Sequence, residues 1–228
     1  MGVKRLKRWV EAYVGEYASG KSECAVNRAL EILGNSRNEE QITLVDLDTV
    51  EPVYTLRPIK EELEAKGLAV VAWRTEDTTG LGEAGSVIRP EMRWVLKRPG
   101  HIILDIGYGV KGAQTLNLIE GAWDDPDLRI LAVLNLGRPL TGSYEEMLEY
   151  VMSLGPLHGL INNSHLGDDT DLAFIQNGAR VVAAIGEKMH LPVVATTADI
   201  RFKGQLGDYD VTGHPVRYME RFMPRAFW

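Results

Sequence analysis

The chain has 228 residues, 45% hydrophobic and 25% charged, the make-up of a globular protein long enough to bury a large core. One cysteine, Cys24, excludes an intrachain disulfide, and a formal charge of −7 argues against a broad nucleic-acid surface. No apolar run has the length of a membrane span, and the basic start (Lys4, Arg5, Lys7, Arg8) meets Glu11 instead of an uncharged stretch, so the expectation is one cytoplasmic domain over residues 1–228.

Trp9 to Val14 is rich in β-formers and runs straight into Gly15-Glu16-Tyr17-Ala18-Ser19-Gly20-Lys21-Ser22. That octet fits the phosphate-loop pattern G-x-x-x-x-G-K-[ST] at every fixed position. From Glu23 onward, Val26, Ala29, Leu30 and Leu33 recur at helical spacing, with Gly34 as a stop. Gln41 to Val45 reads as a strand that ends in Asp46-Leu47-Asp48, and Arg57 to Lys66 reads as a helix closed by Gly67. Leu68 to Trp73 is a third strand; the Thr-, Gly- and acid-rich stretch 74–86 is a loop. A short helix from Pro90 to Lys97 precedes a buried strand, His101 to Leu104, that ends at Asp105. Ile130 to Leu134 is a strand ending at Asn135, Ser143 to Ser153 a helix, and Leu157 to Ile161 a strand ending at Asn162-Asn163. Asp169 to Met189 is a long helix with a break expected at Gly178, and Pro192 to Ala195 is the last buried strand. In the tail Val216 to Trp228, Tyr218, Met219, Phe222 and Met223 share one helical face and Arg217, Arg221 and Arg225 another. An amphipathic C-terminal helix packed on its own domain is expected there, with contact to a membrane surface or a partner as the second reading.

Short, continuously apolar strands alternating with helices imply an α/β fold: a mostly parallel central sheet with helices on both faces, the three-layer arrangement of phosphate-loop NTPases. Ligands of such sheets bind beyond the C-terminal strand ends, where Asp46, Asp48, Asp105, Asn135, Asn162, Asn163 and Asp199 join the loop. Each loop position has a physical task. Glycines let backbone N–H groups turn toward a polyphosphate, Lys21 reaches its terminal phosphates, and the Ser22 hydroxyl ligates Mg²⁺. Residues Gly15 to Glu23 therefore form the cofactor-binding candidate, feeding a helix whose positive N-terminal end favours an anion. Asp105 has the form of a Mg²⁺-side carboxylate acting through water, and Gly107, Gly109 and Gly112 after it suit a phosphate-sensing turn. Asp46 and Asp48 are candidates to position the attacking water or the metal's water shell, and alternate spacing puts them on one side of the strand if it continues that far. Asn162 or Asn163 is a candidate to read adenine, since an amide carries both a donor and an acceptor. The five histidines and Cys24 show no ligand pairing for a transition metal.

The order of the phosphate loop, Val45-Asp46-Leu47-Asp48, Ile103-Leu104-Asp105-Ile106-Gly107, Asn162-Asn163 and Leu191-Pro192-Val193-Val194 resembles the CobQ/CobB/MinD/ParA nucleotide-binding proteins over about residues 8–200. The resemblance implies an ATP- and Mg²⁺-binding hydrolase. In it Lys21 and Ser22 take phosphate and Mg²⁺, Asp46 the hydrolytic role, Asp105 the second Mg²⁺ role, and Asn162 or Asn163 the adenine. It further implies a nucleotide-dependent switch acting on a protein partner, with a homodimer left open. A small-molecule kinase or synthetase like the cobyrinate and dethiobiotin enzymes, with 74–90 as substrate lid, and a non-hydrolysing nucleotide-binding module are the alternatives. Many MinD-like ATPases carry a lysine after the first loop glycine that reaches a partner's phosphates; this chain has Glu16, whose charge would repel them. Lys111 or Arg201 is then the expected source of the missing positive charge.

Overall fold

The apolar runs fold as strands that hide each other's backbone. The computed structural model describes residues 8–36, 40–48, 56–73 and 88–223. Eight strands form one sheet: β1 (Val10–Gly15), β2 (Ile42–Leu47), β3 (Ala69–Val71), β4 (His101–Ile106), β5 (Leu128–Leu134), β6 (Gly159–Asn162), β7 (Val193–Asp199) and β8 (Val216–Met219). Their order is β3-β2-β4-β1-β5-β6-β7-β8, and every pairing is parallel. The described helices longer than a 3₁₀ turn are α1 (Lys21–Asn35), α2 (Lys60–Ala65), α3 (Pro90–Arg93), α4 (Gly109–Ala113), α5 (Tyr144–Ser153) and α6 (Leu172–Met189).

Strand side chains alternate between two cores. Ala12, Val45, Leu104, Ala132 and Leu160 pack with Met147 and Val151 of α5 and Val182 and Ile185 of α6. Tyr13, Leu44, Ile103, Leu131 and Ile161 pack on the opposite face with Ala25, Val26 and Ala29 of α1 and Leu63 of α2. The three-layer α/β reading therefore holds, with a sheet that is parallel throughout.

Ser143 and Asp171 start α5 and α6 by accepting from the Glu146 N–H (3.2 Å) and the Phe174 N–H (2.7 Å). Arg8, one of the four early basic residues, is structural: it pairs with Asp125 at 2.9 Å and donates to the Leu96 carbonyl at 2.7 Å.

Three expectations change. Gly34 lies inside α1, which runs on to Asn35. α6 passes unbroken through Gly178. That glycine is there for closeness: a Cβ would sit 2.0 Å from Ser164 Oγ and 2.7 Å from Asn162 Oδ1. The C-terminal helix is replaced by β8 and an irregular segment up to residue 223; residues 224–228 lie outside the described ones. Val216 and Tyr218 pack against Ile175, Ala198 and Phe202, while Met219 joins the core around α1. The true period from 216 to 219 is two, and the helical spacing of Met219, Phe222 and Met223 arises because the strand ends at Met219 and the chain turns.

Gly178→Ala forces a methyl into occupied space, so a loss of about 1–3 kcal/mol is expected, read from urea unfolding with unchanged slope.

Candidate functional site

Register decides which residues meet at the carboxyl edge of the sheet. Tyr13 of β1 is level with Asp105 of β4, Asp105 with Asp46 of β2, and Gly15 with Val133 of β5. The chain leaves β1 at Gly15, where a side chain is impossible: a Cβ would stand 2.5 Å from the Val133 carbonyl oxygen. It curls through Ala18 (φ 53°) and Gly20 (φ 90°) and enters α1 at Lys21. The bend is held by Ser19 N–H donating to the Glu16 carbonyl at 3.2 Å and by the Asn163 amide donating to the Ser19 carbonyl at 2.7 Å. A Cβ on Gly20 would lie 2.1 Å from Asn163 Nδ2, so the second loop glycine makes room for this clamp.

The charged groups sit close to one another under this loop. Lys21 is buried and its ammonium donates to the Glu16 carbonyl at 3.0 Å. Burial pulls its pKa down against the attraction of Asp105 and Asp48. Asp105 is 1% exposed and neither carboxylate oxygen has a well-formed hydrogen bond. Burial, then the neighbouring Asp46 charge, raises its pKa to about 8, although the Ser22 hydroxyl and Lys21 pull it down. A buried carboxylate beside a hydroxyl at the start of a phosphate loop is the donor set that suits a water-sheathed divalent cation; Ser22 would be a direct ligand and Asp105 a partner for its waters. Asp46 is likewise buried, 3.7 Å from the guanidinium of Arg57. β2 stops at Leu47, so Asp46 and Asp48 do not continue one strand face. The chain turns, the Asp48 N–H donates to Asp46 Oδ1 at 3.0 Å, and Asp48 lines the cavity.

A cavity of about 420 Å³ opens from the loop toward the ends of β6, β7 and β8. Tyr17, Ala18, Gly20, Lys21, Ser22, Glu23, Asp48 and Asn163 are among its walls, joined by Tyr108, Arg138, His165 and an apolar end that includes Ile175, Phe202 and Met219. The phosphate-loop residues and Asp48 are thus brought together, whereas Asn162 is not among the walls: its amide donates to the Ile175 carbonyl and Thr196 Oγ1, and its oxygen accepts the Ser164 N–H. Asn163 reaches the cavity, but its amide group holds Ser19 and its oxygen accepts from Thr197 Oγ1 at 2.7 Å, so its main work is to brace the loop. Glu23 also faces the cavity while accepting the backbone N–H groups of Phe222 and Met223; burial raises its pKa against those two bonds. Asn27 exchanges two 2.9 Å hydrogen bonds with the backbone of Glu220, so the side chains of α1 stitch the C-terminal segment over the site.

Glu16 does not face solvent. It is buried and accepts from the Leu140 N–H and the Thr141 hydroxyl, each at 3.0 Å. The two substitute cations expected from sequence are elsewhere. Lys111 is exposed on α4, and Arg201 donates to the carbonyls of Gly167, Asp168 and Thr170. Of the lid expected at 74–90, residues 74–87 lie outside the described ones. Sequence reasoning reached Tyr108 only within the phosphate-sensing segment after Asp105, and it missed Arg57 and Arg138 as site residues: an arginine outside a periodic run carries no signal, and only the strand-end rule, extended a few residues past Asn135, would have reached Arg138.

The raised Asp105 pKa has a definite sign. Between about pH 4 and pH 8 the folded, ligand-free protein holds a proton that the unfolded chain gives up, so stability falls as pH rises through this window. Asp105→Asn should flatten that slope and raise the thermal midpoint at pH 8, measured by calorimetry across pH without nucleotide.

The chain matches no protein-family model and no curated protein. Among solved structures it is similar to the signal recognition particle receptor FtsY of Elizabethkingia anophelis, with a TM-score of 0.55 at 17% identity over 86% of this chain and 59% of that one. It is also similar to cell division protein FtsY of Thermotoga maritima, with a TM-score of 0.54 at 13% identity over 100% of this chain and 69% of that one. Chloroplast FtsY of Physcomitrella patens gives 0.52 at 17% identity over 86% and 60%. A second Elizabethkingia FtsY structure, in complex with GDP, gives 0.55 at 16% identity. The chain spans about 59% of the length of the first of these receptors. These structures carry the name FtsY and none is a MinD or ParA protein, and what the likeness shows is the fold: a phosphate-loop NTPase sheet with its helices.

Proposed function

We propose that this protein binds a nucleoside triphosphate with Mg²⁺ on residues 15–22, hydrolyses it, and uses the change to switch its grip on a protein partner. The observation that carries the reading is the preformed loop between β1 and α1, with buried Lys21 and the unsatisfied carboxylate of Asp105 beneath it. Backbone N–H groups at the start of α1 and the Lys21 ammonium would take the phosphates; moving from the Glu16 carbonyl to a phosphate oxygen gives Lys21 a charged partner. Ser22 and Asp105 would hold the cation, which supplies charge neutralisation at the phosphates. Asp48, at the cavity wall, is the better placed of the two β2-end acids to orient a water, and Asp46 beside Arg57 sets the field around Asp105.

The switch reading draws on Tyr108. It follows Asp105 by three residues, lines the cavity, and packs edge-on against Tyr17 of the loop with ring centroids 5.4 Å apart. A terminal phosphate entering beside Lys21 would press on the turn that carries this contact, and 105–113 is the segment that would move.

ATP is the proposed nucleotide: the strand end Asn162-Asn163-Ser164-His165 lacks the Lys and Asp of an Asn-Lys-x-Asp guanine reader. GTP is the competing reading, because a solved structure of this fold, FtsY, is in complex with GDP.

Displacement of a fluorescent ATP analogue by ATP and GTP, with and without Mg²⁺, tests both. ATP is expected to win, with Mg²⁺ tightening its binding. Lys21→Ala should weaken binding by about 2–3 kcal/mol, roughly 30- to 150-fold. No binding at millimolar ATP or GTP with Mg²⁺ would remove the proposal. Glu16 is committed to its own chain, so with a non-hydrolysable triphosphate bound, native mass measurement should show no nucleotide-dependent dimer.

A further inference from the structure

Residues 135–141, between β5 and α5, are clamped from two sides. Asn135 Oδ1 accepts the N–H groups of Gly137 (2.9 Å) and His165 (3.0 Å), and the Leu136 N–H donates to Ser164 Oγ at 3.1 Å. On the other side, Glu16 of the phosphate loop accepts from Leu140 and Thr141. Even Gly137 is wedged: a Cβ there would lie 2.8 Å from Leu166 Cδ2 and 2.9 Å from the His165 carbonyl oxygen. A loop held this tightly fixes whatever it carries.

It carries Arg138 into the wall of the cavity that Lys21 and Ser22 also line. Arg138 Nε is buried without a hydrogen-bond partner, and among the described residues no ion pair or side-chain hydrogen bond engages the rest of its guanidinium. The other arginine lining this cavity, Arg221, is engaged with Asp168. A guanidinium is a planar fork of donors that stays charged at any working pH, and leaving the buried Nε donor unmet is costly. Nor does its neighbour satisfy it. Burial, then the Arg138 charge, pushes the His165 imidazole down to about 4, so it stays neutral beside the arginine. A fixed, unpaired guanidinium on the wall of a phosphate-loop cavity is an anion contact waiting for its anion.

The geometry points to Arg138 as a cis-acting contact for the phosphates of a nucleotide held on residues 15–22, with Glu16 as the positioning residue that anchors its loop. This rests on the nucleotide reading above. It recasts Glu16: the carboxylate at the second loop position ties down the segment that bears the chain's own cation. The positive charge then comes from the same molecule.

The test is calorimetric titration of the full chain with a non-hydrolysable triphosphate plus Mg²⁺, and with the corresponding nucleoside. Arg138→Ala should weaken triphosphate binding roughly 10- to 100-fold, leave nucleoside binding unchanged, and not lower the ligand-free thermal midpoint. Arg138→Lys should recover part of the loss. Glu16→Ala should cost part of the same affinity and add nothing on top of Arg138→Ala; Glu16→Gln, which retains an acceptor for Leu140, should lie nearer the wild type and serves if the alanine variant does not fold. Wild-type triphosphate affinity in Arg138→Ala, with Lys21→Ala losing it, would overturn the inference and leave the nucleotide reading standing. Equal losses for triphosphate and nucleoside would also overturn it, since the contact would then be to base or sugar. Additive losses in the double variant would overturn the positioning role of Glu16. A wild type that binds no triphosphate would sink both readings together.

Discussion

The site hangs from one strand. β1 is hydrogen-bonded on both edges, to β4 and β5, and all six of its residues are buried. A strand so enclosed has no freedom to slip, because a shift by one residue would exchange its two core faces. Even Glu11, in its middle, is kept by a two-pronged ion pair with Arg28 at 3.1 Å and by the Tyr13 hydroxyl at 2.7 Å. With β1 pinned, Gly15 must leave the sheet where it does, and Asp105 on the adjacent β4 and Asp46 on β2 beyond it fall beneath the loop without any further device.

What gathers there is poorly satisfied without a ligand. Two carboxylates sit on adjacent strands in a buried setting, with one ammonium between burial and attraction. Lys21 makes do with a backbone carbonyl, and Asp105 has no well-formed hydrogen bond. Each of these groups would gain a stronger partner from the phosphates and cation of the proposed nucleotide, so the same features that cost stability in the ligand-free protein would favour binding. The neutral clamps around the cluster, from Asn163, Thr197, Asn135 and Ser164, hold the geometry while the charges wait.

Much of this was legible in the sequence, and for a reason. The phosphate loop is read from residue types because backbone geometry demands glycine at Gly15 and Gly20, and parallel strands buried on both faces show as unbroken apolar runs. The acid Asp105 was found because it closes such a run. The amides were harder. Asn162 and Asn163 look alike in a sequence, and the difference between an internal brace and a cavity wall depends on Thr196, Thr197 and Gly178, all remote along the chain. β8 was hidden because apolar residues on both sides of a strand end imitate a helical stripe. Arg138 was hidden because its importance lies in having no partner, which a sequence does not display.

The stitching of residues 220–223 to α1 has a mechanical meaning. Asn27 and Glu23 bind that segment through its backbone, while Phe222 and Met223 bury their side chains in the core that α1 shares. α1 begins at Lys21. Under the nucleotide reading, a load on residues 220–223 would be passed through these bonds to the helix that opens at Lys21, which would make the segment a handle on nucleotide affinity.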